Sequence, residues 1–194
     1  MQGSTLDFYN SHAAAYAADG NRPNPKLFPF LQRCKAGGRI LELGTGGGVD
    51  AAAILAAGFA LDATDGSAEL AAIASRRLGQ PVRTMLFQEL DVEEAYDGVY
   101  ACASLTHVAR DELAGVIGKV HTALVKGGVA WASFKAGSGE SADALGRHYN
   151  YLSVKELTAY WRDSGPWASL EVESWSGGAY DRRPTDWIAV TAIR

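Results

Sequence analysis

Ile40-Leu41-Glu42-Leu43-Gly44-Thr45-Gly46-Gly47-Gly48-Val49-Asp50 is the stretch that decides the fold. An apolar run carries an acid, glycines recur at 44, 46 and 48, and an alanine-rich helical stretch follows. The next apolar run ends in Asp65. A strand, a glycine turn, a helix and a second strand ending in an acid make a nucleotide-binding half-fold. Glycine is needed where a cofactor lies against the backbone, because a side chain at Gly44 or Gly46 would block the approach. Asp65 can accept hydrogen bonds from both hydroxyls of a ribose. Glu42 separates cofactor classes, because a dehydrogenase fingerprint usually holds an apolar residue just before its first glycines.

Outward from this motif, strands and helices alternate. Strands are expected over 39–43, 60–65, 82–86, 98–104 and 129–134. A helix over 49–57 stops at Gly58. Ser67 caps a helix whose apolar face is Leu70, Ile73, Ala74 and Leu78. Leu113, Ile117, Val120 and Leu124 mark another over 111–124. Upstream, residues 6–18 read as a helix with most of Phe8, Tyr9, His12 and Tyr16 along one side. Residues 20–25 break it, and a short helix covers 26–34. Downstream the apolar pattern lapses over 135–150, which reads as a long loop of the kind that is often functional. Ser153 and Glu156 form a capping box that starts a helix to about residue 163. Strands over 169–175 and 185–192 are separated only by a turn region, so they pair antiparallel. The expectation is a single α/β domain over 1–194. Its core is a Rossmann-like, seven-stranded, mostly parallel sheet with an antiparallel last strand and helices on both faces. Residues 1–36 form a helical lid and 135–152 a loop insertion.

Composition narrows the function. A chain of 194 residues holds one well-buried core, and 47% apolar with 21% charged residues is ordinary for a globular protein. The net charge of −4 argues against a general nucleic-acid binder. Cys34 and Cys102 form no CxxC motif or cysteine–histidine cluster, and the four histidines are scattered, so no metal site is expected. The longest apolar stretch, 51–61, is too short to cross a bilayer, and residues 1–4 do not resemble a signal peptide. A cytoplasmic protein without membrane contact is the expectation.

The order of these features resembles the class I S-adenosylmethionine-dependent methyltransferases over nearly the whole chain, from about Phe8 to Ile193. Glu42, Gly44, Gly46 and Gly48 match the first motif of that family, and Asp65 in Ala63-Thr64-Asp65-Gly66-Ser67 matches the second. The strand-four segment, 96–108, and the Leu124-Val125-Lys126-Gly127-Gly128 turn match the other two. Phe8-Tyr9, Ala13, Tyr16, Ser133-Phe134-Lys135 and Gly146-Arg147-His148-Tyr149 resemble small bacterial type-11 and tellurite-resistance-like methyltransferases. Relatives often carry arginine where this chain has Val49. Many also carry an acid–alanine pair after strand three, where this chain has Leu86-Phe87-Gln88-Glu89-Leu90.

The resemblance implies S-adenosyl-L-methionine as cofactor and a small-molecule methyl acceptor. Glu42 suits a cofactor bearing an ammonium and a sulfonium, and Tyr16 reaches its methionine end with Arg22 nearby. Gly44, Thr45 and Gly46 cradle it, with Asp65, Gly66 and Ser67 on the ribose side. Phe87 and Gln88 lie near the adenine, and Ala103 and Ser104 follow strand four. Tyr9, His107, Lys135, Arg147 and Tyr149 are the acceptor-side candidates, the cations suited to an anionic group. His107, beyond strand four, is the candidate catalytic base. Two other functions fit parts of the sequence. Gly46-x-Gly48-x-x-Ala51 fits an NAD-dependent oxidoreductase in a shifted register, against which Glu42 and the terminal strand pair argue. A non-catalytic S-adenosylmethionine-binding module would differ in lacking an acceptor pocket.

Overall fold

The structure, a computed structural model, describes residues 2–194. Two helices, α1 (Gln2–Ser11) and α2 (Ala13–Asp19), precede α3 (Leu27–Arg33). The first half-fold is β1 (Arg39–Leu43), α4 (Val49–Ala56), β2 (Ala60–Asp65), α5 (Ala68–Leu78) and β3 (Arg83–Thr84). The second half runs through β4 (Tyr96–Ala101), α6 (Leu113–Ala123) and β5 (Leu124–Lys135). It continues with β6 (Glu140–Ala142), β7 (His148–Asn150), α7 (Val154–Asp163), β8 (Ser169–Gly178) and β9 (Pro184–Ile193).

Seven strands form one sheet in the order β3-β2-β1-β4-β5-β9-β8. β9 inserts antiparallel between β5 and β8, and the pairings among β1 to β5 are parallel. The expected mixed sheet and antiparallel last strand are both present.

The central strands β1, β4 and β5 bury both faces, which is why they read as near-continuous apolar runs. Val99, Ala101, Ala130, Ala132, Ile188 and Val190 pack on one side with α6 and α7, where Trp161 is fully buried. The alternate positions Tyr100, Trp131 and Ala189 pack on the other side against Leu27, Phe30 and Leu31 of α3. Tyr100 and Trp131 stack there with ring centroids 5.0 Å apart. Strand order reverses at β1, with β2 on one side and β4 on the other. Open α/β sheets bind ligands outside the carboxyl ends of the strands at such a switch point.

Four local expectations differ from the structure. The N-terminal helix is two helices, parted at His12, whose backbone leaves the helical range and whose Nδ1 lies 3.0 Å from the Phe8 carbonyl. β3 shrinks to two residues because a short 3-10 turn, Phe87–Glu89, takes over the chain; the Glu89 carboxylate accepts from the Leu86 amide. β4 starts and ends earlier, and residues 102–104 turn away from the sheet. Most consequentially, 135–150 is not an irregular loop. β6 and β7 pair as an antiparallel hairpin, and Arg147, His148, Tyr149 and Asn150 are all buried. The sequence hides this because the buried face is polar, so no apolar alternation announces it.

Among the described residues no helix is long and apolar enough to cross a membrane, and no cluster of His, Cys, Asp or Glu is arranged to hold a metal ion.

Candidate cofactor and acceptor site

The carboxyl ends of β1 and β2 are tied together through backbone. Gly44 and Thr45 amides both donate to the Thr64 carbonyl at 2.9 Å, and the Thr64 hydroxyl donates to the Glu42 carbonyl at 2.8 Å. Gly44 has a left-handed backbone at φ +81°, and a Cβ there would lie 2.4 Å from the Ser104 Cβ. Ser104 is fixed by its hydroxyl donating to the Leu43 carbonyl at 2.6 Å. Gly46 is also left-handed, at φ +56°, and a Cβ there would lie 3.3 Å from Tyr16 Cε1. Ala103 also takes a left-handed conformation, φ 52°, held by its amide donating to Ser133 Oγ at 2.8 Å. A non-glycine residue in that region is strained and belongs where surrounding structure holds it.

Two buried carboxylates flank this turn. Asp65 accepts the Gly46 amide at 2.7 Å and the Ser67 amide at 2.8 Å. Burial pushes its pKa up, partly offset by those two amides. Glu42 is 2% exposed and accepts the Thr45 hydroxyl. Burial drives its pKa up to about 8, with Asp50 and Asp65 adding to the rise. Neither Arg39 nor Lys35 pairs with it. A buried carboxyl with one hydroxyl partner is short of a counter-charge, and an incoming cation would supply one.

Two cavities meet at the turn. The smaller, about 90 Å³, is lined by Asp65, Gly66, Leu70, Leu86, Phe87, Gln88, Ser104 and His107. The larger cleft, about 700 Å³, is lined by Glu42, Thr45, Asp50, Arg22, Lys135, Arg147, Tyr149 and Tyr180, among others. Tyr9, Tyr16, Gly44, Gly46 and Ala103 belong to both walls. Nearly all the sequence-expected residues therefore gather here. Ser67 lies on neither wall. It is fully buried, caps α5 by accepting the Leu70 amide at 3.2 Å, and donates its hydroxyl to Asn10 at 2.7 Å. Arg22 is exposed at the rim.

The N-terminal helices close over the turn. Besides the Asn10–Ser67 contact, the Thr5 hydroxyl accepts the His148 amide at 2.8 Å. Tyr9 Oη lies 3.0 Å from His107 Nε2, and His107 Nδ1 lies 2.6 Å from the His148 carbonyl. A carbonyl only accepts, so Nδ1 carries the proton, and Nε2 accepts from the Tyr9 hydroxyl. Burial lowers the His107 pKa to about 4, and Arg147 and Lys135 push the same way. His107 is therefore neutral at pH 7, its lone pair is occupied, and it faces the smaller cavity from behind Tyr9.

Arg147 anchors the hairpin. It is 1% exposed, donates to Asp143 through Nε at 3.0 Å and Nη2 at 2.7 Å, and reaches Tyr9 Oη through Nη1 at 3.4 Å. Its guanidinium lies over the rings of Phe8, Tyr9, Tyr149 and Tyr180 at 5.1 to 5.9 Å. Lys135 lies 3.8 Å from the Tyr149 ring centroid.

Several wall residues were not singled out by the sequence. Asp50, which accepts from the Asn24 amide at 2.7 Å and the Tyr100 hydroxyl at 3.0 Å, sits among alanines of a helix start. Tyr180 lies in a turn between strands, where nothing in the local pattern marks it. Trp175 and Trp187 face each other across β8 and β9 and line the wide cleft.

Residues 41–130 match the family model described as a methyltransferase domain. The matched segment runs from the acid-and-glycine motif into β5 and contains the turn, Asp65 and Ala103. No curated protein matches the chain in sequence. Among solved structures it is similar to a Burkholderia thailandensis 1,6-didemethyltoxoflavin-N1-methyltransferase with 1,6-didemethyltoxoflavin and S-adenosylhomocysteine bound. Identity is 22% and TM-score 0.66, covering 97% of this chain and 79% of that one. A Mesorhizobium loti S-adenosylmethionine-dependent methyltransferase is 21% identical at TM-score 0.69, covering 91% and 99%. Haemonchus contortus phosphoethanolamine N-methyltransferase 2, in complex with S-adenosyl-L-methionine, is 17% identical at TM-score 0.75. There the match covers 98% of this chain and 60% of that one. The sheet order and terminal antiparallel strand are thus those of a Rossmann-like methyltransferase fold.

Proposed function

We propose that the methyltransferase domain uses S-adenosyl-L-methionine and passes its methyl group to a small-molecule acceptor. The observation that carries this is Glu42: a buried carboxyl with a raised pKa, opening on a cleft beside Gly44 and Gly46. A cofactor with an ammonium at one end and a ribose in its middle suits Glu42 in the wide cleft and Asp65 in the smaller cavity. The adenosine lies across the junction of the two cavities, with Asp65 for the ribose and Leu86, Phe87 and Gln88 beside the base. The methionine end passes Tyr16 into the wide cleft toward Glu42 and Thr45.

The cofactor supplies the electrophilic methyl. The chain's own task is to hold the acceptor in line and to exclude water, and orientation of this kind is worth roughly 7–11 kcal/mol in model reactions. Tyr9 and Tyr16, in edge-to-face contact at 5.1 Å, form the part of the lid common to both cavities. His107 acts as a positioning residue: it accepts the Tyr9 hydroxyl and so fixes that ring. The segments that resemble the tellurite-resistance-like enzymes, at the N-terminus, after β5 and at Arg147, gather around this cleft, which supports a place near that subgroup. Equilibrium titration with S-adenosylhomocysteine tests the cofactor assignment. Binding that weakens at least tenfold in Asp65→Ala is expected, and equal binding by the variant would contradict it.

A further inference from the structure

The wide cleft also holds a buried cation without an ion-pair partner. Lys135 ends β5, is 5% exposed and lines the cleft. Among the described residues its ammonium enters no ion pair and no hydrogen bond; its contact is the face of Tyr149. Asp181 acts on it through space without an ion pair, its carboxylate accepting the Arg183 amide at 3.2 Å, and the other neighbouring charges are committed elsewhere. Arg147 is paired with Asp143 and Lys26 with Glu173. A lysine this buried ordinarily finds a carboxylate, since desolvating an ammonium is costly. The walls around it are rings. Trp187 is its cross-strand partner, Trp175 follows on β8, and Tyr149 and Tyr180 close the other sides.

The cleft is also polarised. Glu42 and Asp50 come from β1 and the start of α4, and Lys135 and Arg147 from the end of β5 and the hairpin. Glu42, protonated near neutrality, offers an anion no partner, and Arg147 is already paired, so the Lys135 ammonium is the group left to receive one. Resting on the methyltransferase reading above, we propose that the acceptor is an aromatic acid. Its planar ring lies among the Tyr and Trp walls, and its carboxylate or other anionic oxygen group pairs with Lys135. Anchoring at Lys135 leaves the far edge of the ring, which carries the methylated atom, to face the Gly44 and Ala103 wall of the same cleft. Lys135 sets specificity by charge, and aromatic faces suit a flat ligand.

The test uses the full chain saturated with S-adenosylhomocysteine, titrated with benzoate, phenyl phosphate and benzamide by calorimetry. Benzoate or phenyl phosphate is expected to bind at least tenfold more tightly than benzamide, and the tighter of the two identifies the anion. Lys135→Met is expected to erase that preference and Lys135→Arg to keep it, with near-ultraviolet circular dichroism confirming the fold of both. Equal binding of the amide and the acids by the wild-type chain would overturn the inference without any variant. So would a Lys135→Met protein that retains the preference. Failure to bind S-adenosylhomocysteine at the outset would instead overturn the cofactor reading, so the two failures are distinct.

Discussion

The wall running from β1 to the turn after β4 presents carboxylates and backbone, whereas the wall running from β5 to β9 presents cations and rings. On the first, Glu42, Asp50 and Asp65 are held by neighbours' amides and hydroxyls, and the glycines bring the chain close. On the second, Lys135 and Arg147 are held by Tyr149, Tyr9 and Tyr180. A backbone-built wall fits one cofactor closely and tolerates little change. A wall of side chains on a hairpin can be altered residue by residue, and that is where acceptor choice belongs.

The largest effect that would break this contrast is at the backbone wall. Gly44→Ala is expected to lower cofactor affinity by more than about a hundredfold, because the new Cβ meets the Ser104 Cβ at 2.4 Å and the residue must keep a left-handed backbone. Titration with S-adenosylhomocysteine checks it, and wild-type affinity in that variant would remove close approach from the account.

The side-chain wall should respond in stability. Arg147→Met leaves the half-hidden Asp143 carboxylate without its bidentate partner. About 2–3 kcal/mol of stability should be lost at pH 7, seen as a melting temperature lower by about 4–12 °C. Arg147 holds the Asp143 pKa below its usual value, so that stabilisation is present above the unfolded value of 3.8 and fades as pH falls through the depressed one. The wild-type and variant melting curves should therefore converge below pH 3.8. A gap that persists there would show that packing of the arginine stem, and not the ion pair, carries the effect.

Glu42 gives a sharper test of the carboxylate wall. Its pKa of about 8 means that the folded chain holds a proton there at pH 7 which the unfolded chain, near 4.5, does not. Stability from this group is undiminished below pH 4.5 and declines as pH rises toward 8. Glu42→Gln should therefore gain melting temperature over the wild type as pH is raised across that window. A cationic ligand stabilises the carboxylate, so cofactor binding near pH 7 should release close to one proton. Calorimetry in buffers of different ionisation enthalpy measures it, and no proton release would separate Glu42 from the ligand.

The smallest effect concerns His107. Its Nε2 is occupied by Tyr9 and its pKa of about 4 makes it a poor base at neutral pH. His107→Ala should lower kcat by less than about tenfold, below the range of a lost general base. Its kcat profile should show no titration between pH 6 and 7 in either protein. A loss of a hundredfold or more with a new pH dependence would restore it as the base.

The same contrast explains what the sequence made legible. The acid, the alternating glycines and Asp65 fall within 24 positions, and their chemistry requires those residue types at those spacings. The mixed sheet follows from alternating patterns and from two final strands with only a turn region between them. The acceptor wall is assembled from afar: Tyr9 meets Arg147 across 138 positions, and Thr5 meets His148 across 143. No local pattern records such contacts. The hairpin at 140–150 was hidden because it buries Arg147, His148 and Asn150, residue types that read as solvated loop. Resemblance pointed to Lys135, Arg147 and Tyr149. What the sequence did not show is that Arg147 is already paired and Lys135 is not.

The central claim is that the acid-and-glycine turn holds S-adenosylmethionine and not a dinucleotide. Calorimetric titration of the purified chain with S-adenosylmethionine, S-adenosylhomocysteine and NAD tests it most directly. One-to-one binding of the first two, with no heat from NAD at the same concentrations, is the predicted result. Tight NAD binding with no response to the other two would contradict it.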